Sequence, residues 1–243
     1  VKEGLADAVI SMGSTGGTMA AAVVVLGTIE GIERPAIGGP VIGSAPNQTI
    51  LDLGSNIDCK PSQLLGFGVL GSVFSELLLK VTNPKIGILS VGSEEGKGNS
   101  LTKETFSLFQ KSDLNFIGNI EGNDLITGKA DVVVCDGFVG NIVLKLVEGL
   151  GKSLAYQLQD YLSGKIDPNN IESLLKDLYQ KNNVTDSRGG GPVYGVNGVS
   201  IVGHGSATSG TVERAVYLAR MCIETKLIEE MSKRVPKVMS TIN

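Results

Sequence analysis

A lysine and an asparagine stand in glycine-rich turns, each directly after a short apolar run. Lys97 lies in the turn 92–99 (GSEEGKGN), which follows the apolar run 86–91. Asn141 ends the turn 136–141 (DGFVGN), which follows a second apolar run. A cation in such a turn most often meets an anion, and an amide N–H can donate to a carbonyl oxygen that gains negative charge. The two residues therefore predict anion binding and carbonyl activation, with a solvated surface lysine as the alternative for Lys97.

A third polar turn, 13–18 (GSTGGT), stands between a predicted strand and a predicted helix. Free backbone N–H groups at a helix N-terminus, with hydroxyls beside them, hold phosphate well. The turn is therefore a candidate phosphate cradle. The alternative is an ordinary tight turn in which a serine or threonine caps the helix.

Three further residues have useful chemistry but an open assignment. Asp136 can cap the helix that begins after it or belong to the site, and the sequence favours neither. His204, the only histidine, lies between two glycines near a predicted helix start, and a catalytic role is one alternative for it. Cys135 ends an apolar strand and is predicted to be a core residue.

Two phosphate-binding patterns match the sequence only in part. The segment 66–71 (GFGVLG) has the glycine spacing of a dinucleotide fingerprint, but it lies inside the helix that Pro61 begins. Its glycines are therefore predicted to allow close helix packing. The turn 92–99 is shorter than a P-loop, and Gly98 stands where magnesium binding needs a hydroxyl. Neither pattern predicts nucleotide binding.

The composition narrows the classes of function further. Hydrophobic residues make up 42% and charged residues 19% of the 243 residues, which suits a folded core. A net charge of −4, an aromatic content of 5% and the absence of tryptophan argue against a nucleic-acid partner. One histidine and three widely spaced cysteines argue against a metal site or a disulfide framework and favour a reducing cytosol. No cofactor is predicted, and no apolar run reaches the ~18 residues of a membrane span.

These residues need elements that position them, and the sequence alternates short apolar runs with longer helical patterns. Strands are predicted at 8–11, 49–53, 86–91, 132–135 and 200–202, and helices at 18–29, 61–80, 101–111 and 210–231. The glycine- and proline-rich stretches 35–47 and 182–197 are predicted to be loops. Apolar strands that alternate with helices indicate a mostly parallel sheet in an α/β fold.

One stretch interrupts the alternation with two helical patterns and no strand between them. Leucine recurs at every fourth residue from 150 to 162, and a second apolar row begins at Ile171. We predict a helical hairpin over 149–183 that projects from an α/β body made of 1–148 and 184–243. The hairpin either covers the sheet of its own domain or forms a contact with a second subunit or a surface.

Several motifs stand in the same order as in one enzyme family and cover nearly the whole chain. They are SMGSTG (11–16), DLGSN (52–56), EEGKGN (94–99), NFIGNIEG (115–122), VVVCDGFVGN (132–141), the segment 145–149 and HGS (204–206). On these motifs the chain resembles the phosphate acyltransferases of bacterial phospholipid synthesis. The N-terminal segment usual in that family is absent, and Ser55 and Tyr194 replace the more common alanine and leucine. Because the chain also begins at Val1 in the middle of a pattern, we expect that an N-terminal piece is missing.

The resemblance implies a three-layer α/β/α fold similar to isocitrate and isopropylmalate dehydrogenases, with the hairpin projecting from it. It also implies a cytoplasmic homodimer that associates peripherally with the membrane. The implied reaction moves a long acyl chain from acyl carrier protein to inorganic phosphate, and a membrane glycerol-3-phosphate acyltransferase then uses the acyl phosphate. Phosphate is itself the nucleophile in this reaction, so the enzyme needs an anion site and an oxyanion donor but no nucleophile of its own.

The same resemblance divides the candidate site residues into two sets. Lys97 and Asn141 are the catalytic residues. The substrate- and phosphate-binding residues are Gly13, Ser14, Thr15, Gly16, Asn56, Gly98, Asn99, Asn119, Glu121, Asp136, Gly137, Gly140 and His204. Two other functions stay open: an enzyme of the phosphate acetyltransferase type that uses acyl-coenzyme A, and a non-catalytic scaffold that docks acyl carrier protein and the membrane. A dehydrogenase of the same fold is disfavoured because the sequence has no recognisable nucleotide site.

Overall fold

The computed structural model describes residues 1–241 apart from 183, 185–187 and 206, and its centre is a β-sheet. The strands are β1 Ala8–Ser11, β2 Ala36–Pro40, β3 Thr49–Leu51, β4 Ile86–Leu89, β5 Phe116–Ile120, β6 Val132–Val134, β7 Gly191–Tyr194 and β8 Val199–Val202. The helices are α1 Thr15–Leu26, α2 Pro61–Leu77, α3 Ser100–Gln110, α4 Asp124–Thr127, α5 Gly137–Leu162, α6 Pro168–Asn182, α7 Ser209–Glu224 and α8 Leu227–Met239. Ser206 of the HGS motif and the residue predicted to end the hairpin lie outside the described residues.

Every predicted strand is confirmed, as are the first three predicted helices, with small shifts at their ends. Pro61 is the first residue of α2, where the missing N–H of proline leaves no helical hydrogen bond unmade. The predicted helix 210–231 is instead two helices, α7 and α8. The chain turns between them at Lys226, whose backbone is left-handed (φ 55°). Neither glycine nor proline marks this turn, so the sequence gives no local signal for it.

The sheet is mixed rather than mostly parallel, which corrects the prediction. Its strand order is β1-β8-β7-β2-β3-β6-β4-β5. β1 is parallel to β8, and β3, β6, β4 and β5 are parallel to one another. β7 and β2 are antiparallel to both of their neighbours. β1 and β8 therefore run in the opposite direction to the four strands from β3 to β5.

The two antiparallel strands lie in stretches that the sequence predicts as loops. A Cβ atom on Gly38 of β2 would lie 2.2 Å from the carbonyl oxygen of Ile50, and one on Gly191 of β7 would lie 2.5 Å from the carbonyl oxygen of Gly38. The backbones approach so closely here that only glycine fits within the strands. The glycines of 35–47 and 182–197 therefore reflect close packing within β2 and β7 rather than loops alone, and β5 is a further strand that was not predicted.

Helices cover both faces of the sheet. On one face, Leu51 and Val134 pack in a core with α2, α3, α7 and α8. On the other face, the alternate residues Ile50 and Val133 pack with α4 and α5, and Val193 packs with α1. Side chains of successive strand residues point to opposite faces, so one run of apolar residues serves both layers. The fold is therefore a mixed α/β structure with a central sheet between two helical layers.

The central helix α2 explains the segment that imitates a dinucleotide fingerprint. A Cβ atom on Gly68 would lie 2.5 Å from the ring of Phe109, and one on Gly71 would lie 2.6 Å from the side chain of Val132. The glycines let α2 approach α3 on one side and the sheet on the other. The prediction that they serve close helix packing is confirmed.

α5 and α6 pack against each other and are joined by a short turn, so the predicted pair of helices is present. α5 extends beyond the predicted start of the hairpin, because it begins at Gly137 and continues without a break through residue 149. The division into a body and a hairpin at that point remains a prediction. Within the described part of the chain, no helix has both the length and the apolar character that crossing a membrane requires.

Candidate active site

Four polar turns meet at one edge of the sheet, where β3, β6, β4 and β5 end. Because these strands are parallel, the turns that follow them lie side by side, as in other α/β ligand sites. Both predicted catalytic residues and eight of the predicted binding residues lie at this edge, in the turns, in the first helical turn after them or, for Asn119, at the end of β5. They are Asn56, Lys97, Gly98, Asn99, Asn119, Glu121, Asp136, Gly137, Gly140 and Asn141. We call it the β3–β5 edge.

Asp52, the residue after β3, organises the first turn. Its carboxylate accepts hydrogen bonds from the backbone N–H groups of Gly54, Ser55 and Asn56, at 3.0, 3.0 and 2.7 Å. It also accepts from the Ser55 hydroxyl at 2.6 Å and from the Asn56 amide at 2.8 Å, and it is fully buried. Asp52 is not among the site residues predicted from the sequence. An aspartate followed by Gly-Ser-Asn is nevertheless a turn signal, since such a carboxylate bonds the backbone just ahead of it.

Asn56 joins this turn to its neighbours. Its side-chain Nδ2 donates to the carbonyl oxygen of Pro35 and to Asp52, both at 2.8 Å. Its carbonyl oxygen accepts the backbone N–H of Gly137 at 2.7 Å. The amide hydrogens of Asn56 are therefore used within the protein, and its predicted contact with substrate remains a prediction.

Gly137 and Gly140 bring the first turn of α5 directly onto the turn after β3. A Cβ atom on Gly137 would lie 2.8 Å from the carbonyl oxygen of Asn56. One on Gly140 would lie 1.8 Å from the carbonyl oxygen of Asp52, which no side chain allows. Both positions need glycine because two backbones touch there. This packing fixes where α5 begins and so fixes the residues on its first turns.

Asp136 and Asn141 stand at that first turn. The Asp136 carboxylate accepts the backbone N–H of Val139 at 2.8 Å, so Asp136 is the N-cap of α5 and the capping alternative is confirmed. Asn141 is exposed, and its Oδ1 atom would lie 3.4 Å from a Cβ atom on Gly54. The Asn141 amide is therefore held at the surface of the β3–β5 edge, where it can donate to a ligand.

Lys97 lies in the turn between β4 and α3. Its backbone N–H donates to the carbonyl oxygen of Glu94 at 3.0 Å. The stem of its side chain crosses the buried Gly92, where a Cβ atom would lie 2.9 Å from Lys97 Cγ. The side chain is exposed, and the salt bridges of the described residues do not include it. The ammonium group can therefore meet an anion from solution.

The two residues after Lys97 shape the same turn. Gly98 has a left-handed backbone (φ 101°), and a Cβ atom on it would lie 2.7 Å from the Cβ of Thr102. The Asn99 side chain accepts from the backbone N–H of Thr102 at 2.9 Å and from its hydroxyl at 3.0 Å, which caps α3. Both residues thus hold the turn that carries Lys97.

Two predicted site residues follow or end β5. Asn119 is buried, and its Nδ2 donates to the carbonyl oxygen of Glu94 at 2.9 Å. Glu121 is half-buried, and its backbone N–H donates to the Asp124 carboxylate at 3.0 Å. Asn119 therefore ties β5 to the Lys97 turn.

Two thiols lie beneath the β3–β5 edge. Burial raises the pKa of Cys59 to about 12, and the nearby Asp52 and Asp136 add to this effect. Burial also raises the pKa of Cys135 far above that of a free thiol, as expected for the core residue that the sequence predicts. Both thiols stay protonated at neutral pH, so neither is a ready nucleophile.

The predicted phosphate cradle and His204 form a second group at the ends of β1 and β8. Ser14 accepts the backbone N–H of Gly17 at 3.2 Å and is the N-cap of α1, which confirms the capping alternative. Gly13, Ser14, Thr15 and Gly16 are exposed, and so is His204. β7 and β2 lie between the two groups, and β1 and β8 run opposite to the strands of the β3–β5 edge, so the turns after them lie toward the other edge of the sheet. One phosphate that contacts both groups therefore remains a prediction.

The sequence matches the family model described as "Fatty acid synthesis protein" over residues 1–230. A relative named "Phosphate acyltransferase" from Desulfitobacterium hafniense is 44% identical over 242 residues, which are 98% of this chain and 72% of the relative. Proteins of the same name from Syntrophomonas wolfei and Clostridium acetobutylicum are 42% and 40% identical, and the chain spans 72% and 73% of their lengths.

Two solved structures have a similar fold. A phosphotransacetylase from Streptococcus pyogenes gives a TM-score of 0.57 at 20% identity, and the alignment covers 94% of this chain and 65% of the other. The EutD phosphotransacetylase from Staphylococcus aureus gives a TM-score of 0.59 at 17% identity, covering 93% of this chain and 65% of the other. This chain thus spans about two thirds of the length of those proteins. At these identities the likeness concerns the fold alone.

Proposed function

The chain belongs to the family of fatty acid synthesis proteins and is an acyltransferase, and from this premise we propose that it transfers a long-chain acyl group from acyl carrier protein to inorganic phosphate. The observation that carries the proposal is the placement of Lys97 and Asn141. Both are exposed, on neighbouring turns of the β3–β5 edge, and each turn is fixed by caps and by glycine packing. A cation and an amide donor held at one edge are what acyl transfer to an anion needs.

The chemistry assigned to this edge is an attack by a phosphate oxygen on the thioester carbonyl carbon. The new C–O bond forms first, and the carbonyl oxygen becomes an oxyanion that accepts a hydrogen bond from the Asn141 amide. The C–S bond then breaks, and the carrier leaves as a thiolate that takes a proton from solvent. Lys97 holds the phosphate and offsets its negative charge as it approaches the carbonyl.

The second group of residues supports phosphate binding rather than bond breaking. The backbone N–H groups of Thr15 and Gly16 lie in the open first turn of α1, where helix N–H groups lack helical partners. His204, at the end of β8, is assigned a supporting role next to this turn. Because β1 and β8 run opposite to the strands of the β3–β5 edge, this group lies toward the other edge of the sheet, apart from Lys97.

The hairpin is the basis for a proposed homodimer. Leu150 and Leu154 expose more than half of their surface, although they form a regular row on α5. A second copy of the hairpin would bury these rows in a helical bundle with an isologous interface. Light scattering that gives the mass of a monomer would contradict this arrangement.

The turn of the hairpin is proposed to contact the cytoplasmic face of the membrane. It carries Leu162, the half-exposed Ile166 and Lys165, whose ammonium lies 3.4 Å from the centre of the Tyr161 ring. An apolar pair beside a cation suits shallow contact with an anionic bilayer. Such contact would bring the acyl phosphate close to a membrane glycerol-3-phosphate acyltransferase.

The fold assigned to the whole enzyme is that of isocitrate and isopropylmalate dehydrogenases, which the mixed sheet supports.

The test is the release of free thiol from a long-chain acyl carrier protein, with and without phosphate. We expect thiol release that depends on phosphate, together with the formation of acyl phosphate. Acetyl-coenzyme A serves as the matched donor. Faster turnover of acetyl-coenzyme A would favour an enzyme of the phosphate acetyltransferase type, and no release from either donor would favour the docking scaffold.

A further inference from the structure

Asn119 and Lys97 share one hydrogen-bond acceptor. The carbonyl oxygen of Glu94 accepts the Asn119 side-chain N–H at 2.9 Å and the Lys97 backbone N–H at 3.0 Å. The acceptor belongs to the turn after β4, whereas Asn119 belongs to the neighbouring strand β5. Asn119 therefore connects the sheet to the turn in which Lys97 stands.

The buried amide of Asn119 makes only part of its possible hydrogen bonds. The residue is 3% exposed, and its Oδ1 atom has no hydrogen-bond partner. A buried amide with one unmade hydrogen bond costs free energy that an apolar side chain of similar size would not cost. Removing the amide also leaves no orphaned acceptor, because Glu94 keeps the N–H of Lys97. A buried polar atom without a hydrogen-bond partner is rare in folded proteins and indicates a functional role.

We propose that Asn119 is a positioning residue that acts through Lys97 and does not contact the substrate. The hydrogen bond from the Lys97 N–H to the Glu94 carbonyl closes the turn that ends at Lys97. The stem of the lysine side chain then lies across Gly92. Fixing that carbonyl fixes the direction in which the ammonium leaves the turn. The inference rests on the catalytic role of Lys97 proposed above, and it replaces the substrate contact that the sequence predicts for Asn119.

The first experiment compares Asn119→Leu with Ser90→Ala. Ser90 follows β4, and its hydroxyl is also buried and without a hydrogen-bond partner, but it does not bond the Glu94 carbonyl. We expect Asn119→Leu to lower kcat/KM for phosphate by about tenfold while the thermal midpoint stays the same or rises, since a small displacement of a catalytic group is costly. Ser90→Ala should change neither quantity. If Asn119→Leu does not fold, Asn119→Ala makes the same comparison without added bulk.

The second experiment repeats the Asn119 substitution in a Lys97→Ala background. If Asn119 acts through Lys97, it should have less than about a twofold further effect there, because the two losses are coupled. The same tenfold loss in both backgrounds would mean an independent role and would overturn the positioning assignment alone. Full activity of Lys97→Ala would overturn both this inference and the catalytic role on which it rests.

Discussion

The two ends of α5 are held in opposite ways. At its first turn, Gly137 and Gly140 lie so close to the turn after β3 that a Cβ atom would collide with backbone oxygens. Further along the same helix, Leu146, Leu150 and Leu154 are 57%, 53% and 57% exposed. We call the first turn, with Gly137 and Gly140, the anchored end of α5, and the part of the helix from residue 146 onward the open end.

The two parts of α5 have different roles, since one positions a site residue and the other offers an apolar surface. The anchored end has no freedom, because backbone packs on backbone there and Asp136 caps the helix. It carries Asn141, whose amide needs a fixed direction to stabilise a developing charge. The open end offers apolar side chains that only another surface can bury. Changes at the anchored end should therefore reduce stability or turnover, and changes at the open end should reduce association.

The largest expected effect comes from a methyl group added at the anchored end. In Gly140→Ala the new Cβ would lie 1.8 Å from the Asp52 carbonyl oxygen, so the helix must move. We expect a loss of about 3 kcal/mol in the free energy of unfolding, measured by urea denaturation. Gly149→Ala is the matched control, because a Cβ there has nothing within 4 Å. It should stabilise the helix by about 0.5–1 kcal/mol, and equal effects of the two substitutions would erase the distinction.

Lys97→Ala tests the cation on the neighbouring turn. We expect a loss of about 3 kcal/mol of transition-state stabilisation, roughly a hundredfold in kcat/KM, as for the loss of one electrostatic donor. The unfolding free energy should change little, since the side chain is exposed. Lys103→Ala, another exposed lysine on the following helix, should keep normal rates. Near-normal acyl phosphate formation by a folded Lys97→Ala protein would rule out the assigned role.

Asn141→Asp sharpens the claim that the anchored end presents a donor. Aspartate has nearly the same shape as asparagine, but when it is ionised it can only accept hydrogen bonds. We expect kcat to fall by about thirtyfold, or about 2 kcal/mol, with the unfolding free energy kept. Steady-state kinetics equal to those of the wild type would reduce Asn141 to an ordinary helix residue.

The half-buried thiol of Cys59, beneath the anchored end, predicts a loss of stability at alkaline pH. Unfolded cysteine ionises near its ordinary pKa of 9.0, whereas Cys59 in the folded protein holds its proton to about pH 12. Between these values the unfolded state binds fewer protons, so the free energy of unfolding falls as pH rises. Urea midpoints at pH 8 and pH 10 measure this fall. Cys59→Ser should make it shallower, and an unchanged slope would mean that Cys59 does not cause it.

The smallest effect on turnover is expected at the tip beyond the open end. The double substitution Leu162→Glu and Ile166→Glu should weaken co-sedimentation with anionic vesicles, because it places negative charge at an anionic surface. Soluble activity and the dimer should stay intact, since neither residue lies at the β3–β5 edge. Unchanged co-sedimentation would move the membrane contact elsewhere, even if the dimer stands.

Much of the β3–β5 edge could be predicted from local sequence. The runs at β4 and β6 are continuously apolar because both of their faces are buried. The glycine turns after them are equally visible, so the positions of Lys97 and Asn141 at the carboxyl edge follow from the order of the residues. The N-caps Ser14, Asn99, Asp136 and Thr208 are likewise local signals.

The parts of the fold that could not be predicted from the sequence depend on pairing between strands that are distant in the chain. Gly38 lies in a strand because β3, about a dozen residues along the chain, and β7, far along the chain, pack against it on either side. The direction of β1 and β8 likewise depends on β7 and β2 lying between them and β3. The phosphate cradle and the turns of the β3–β5 edge could therefore each be predicted from local sequence, but their relative position could not.

The position of α2 has a consequence for the synthesis of the chain. This helix is buried along most of its length, and residues of α8, including Met231 and Val235, complete the core around it. Arg234 of α8 also pairs with Glu76 of α2. A ribosome makes α2 well before α8, so the face of α2 that packs on α8 has no partner until α8 is made. We therefore expect this part of the core to form late in synthesis.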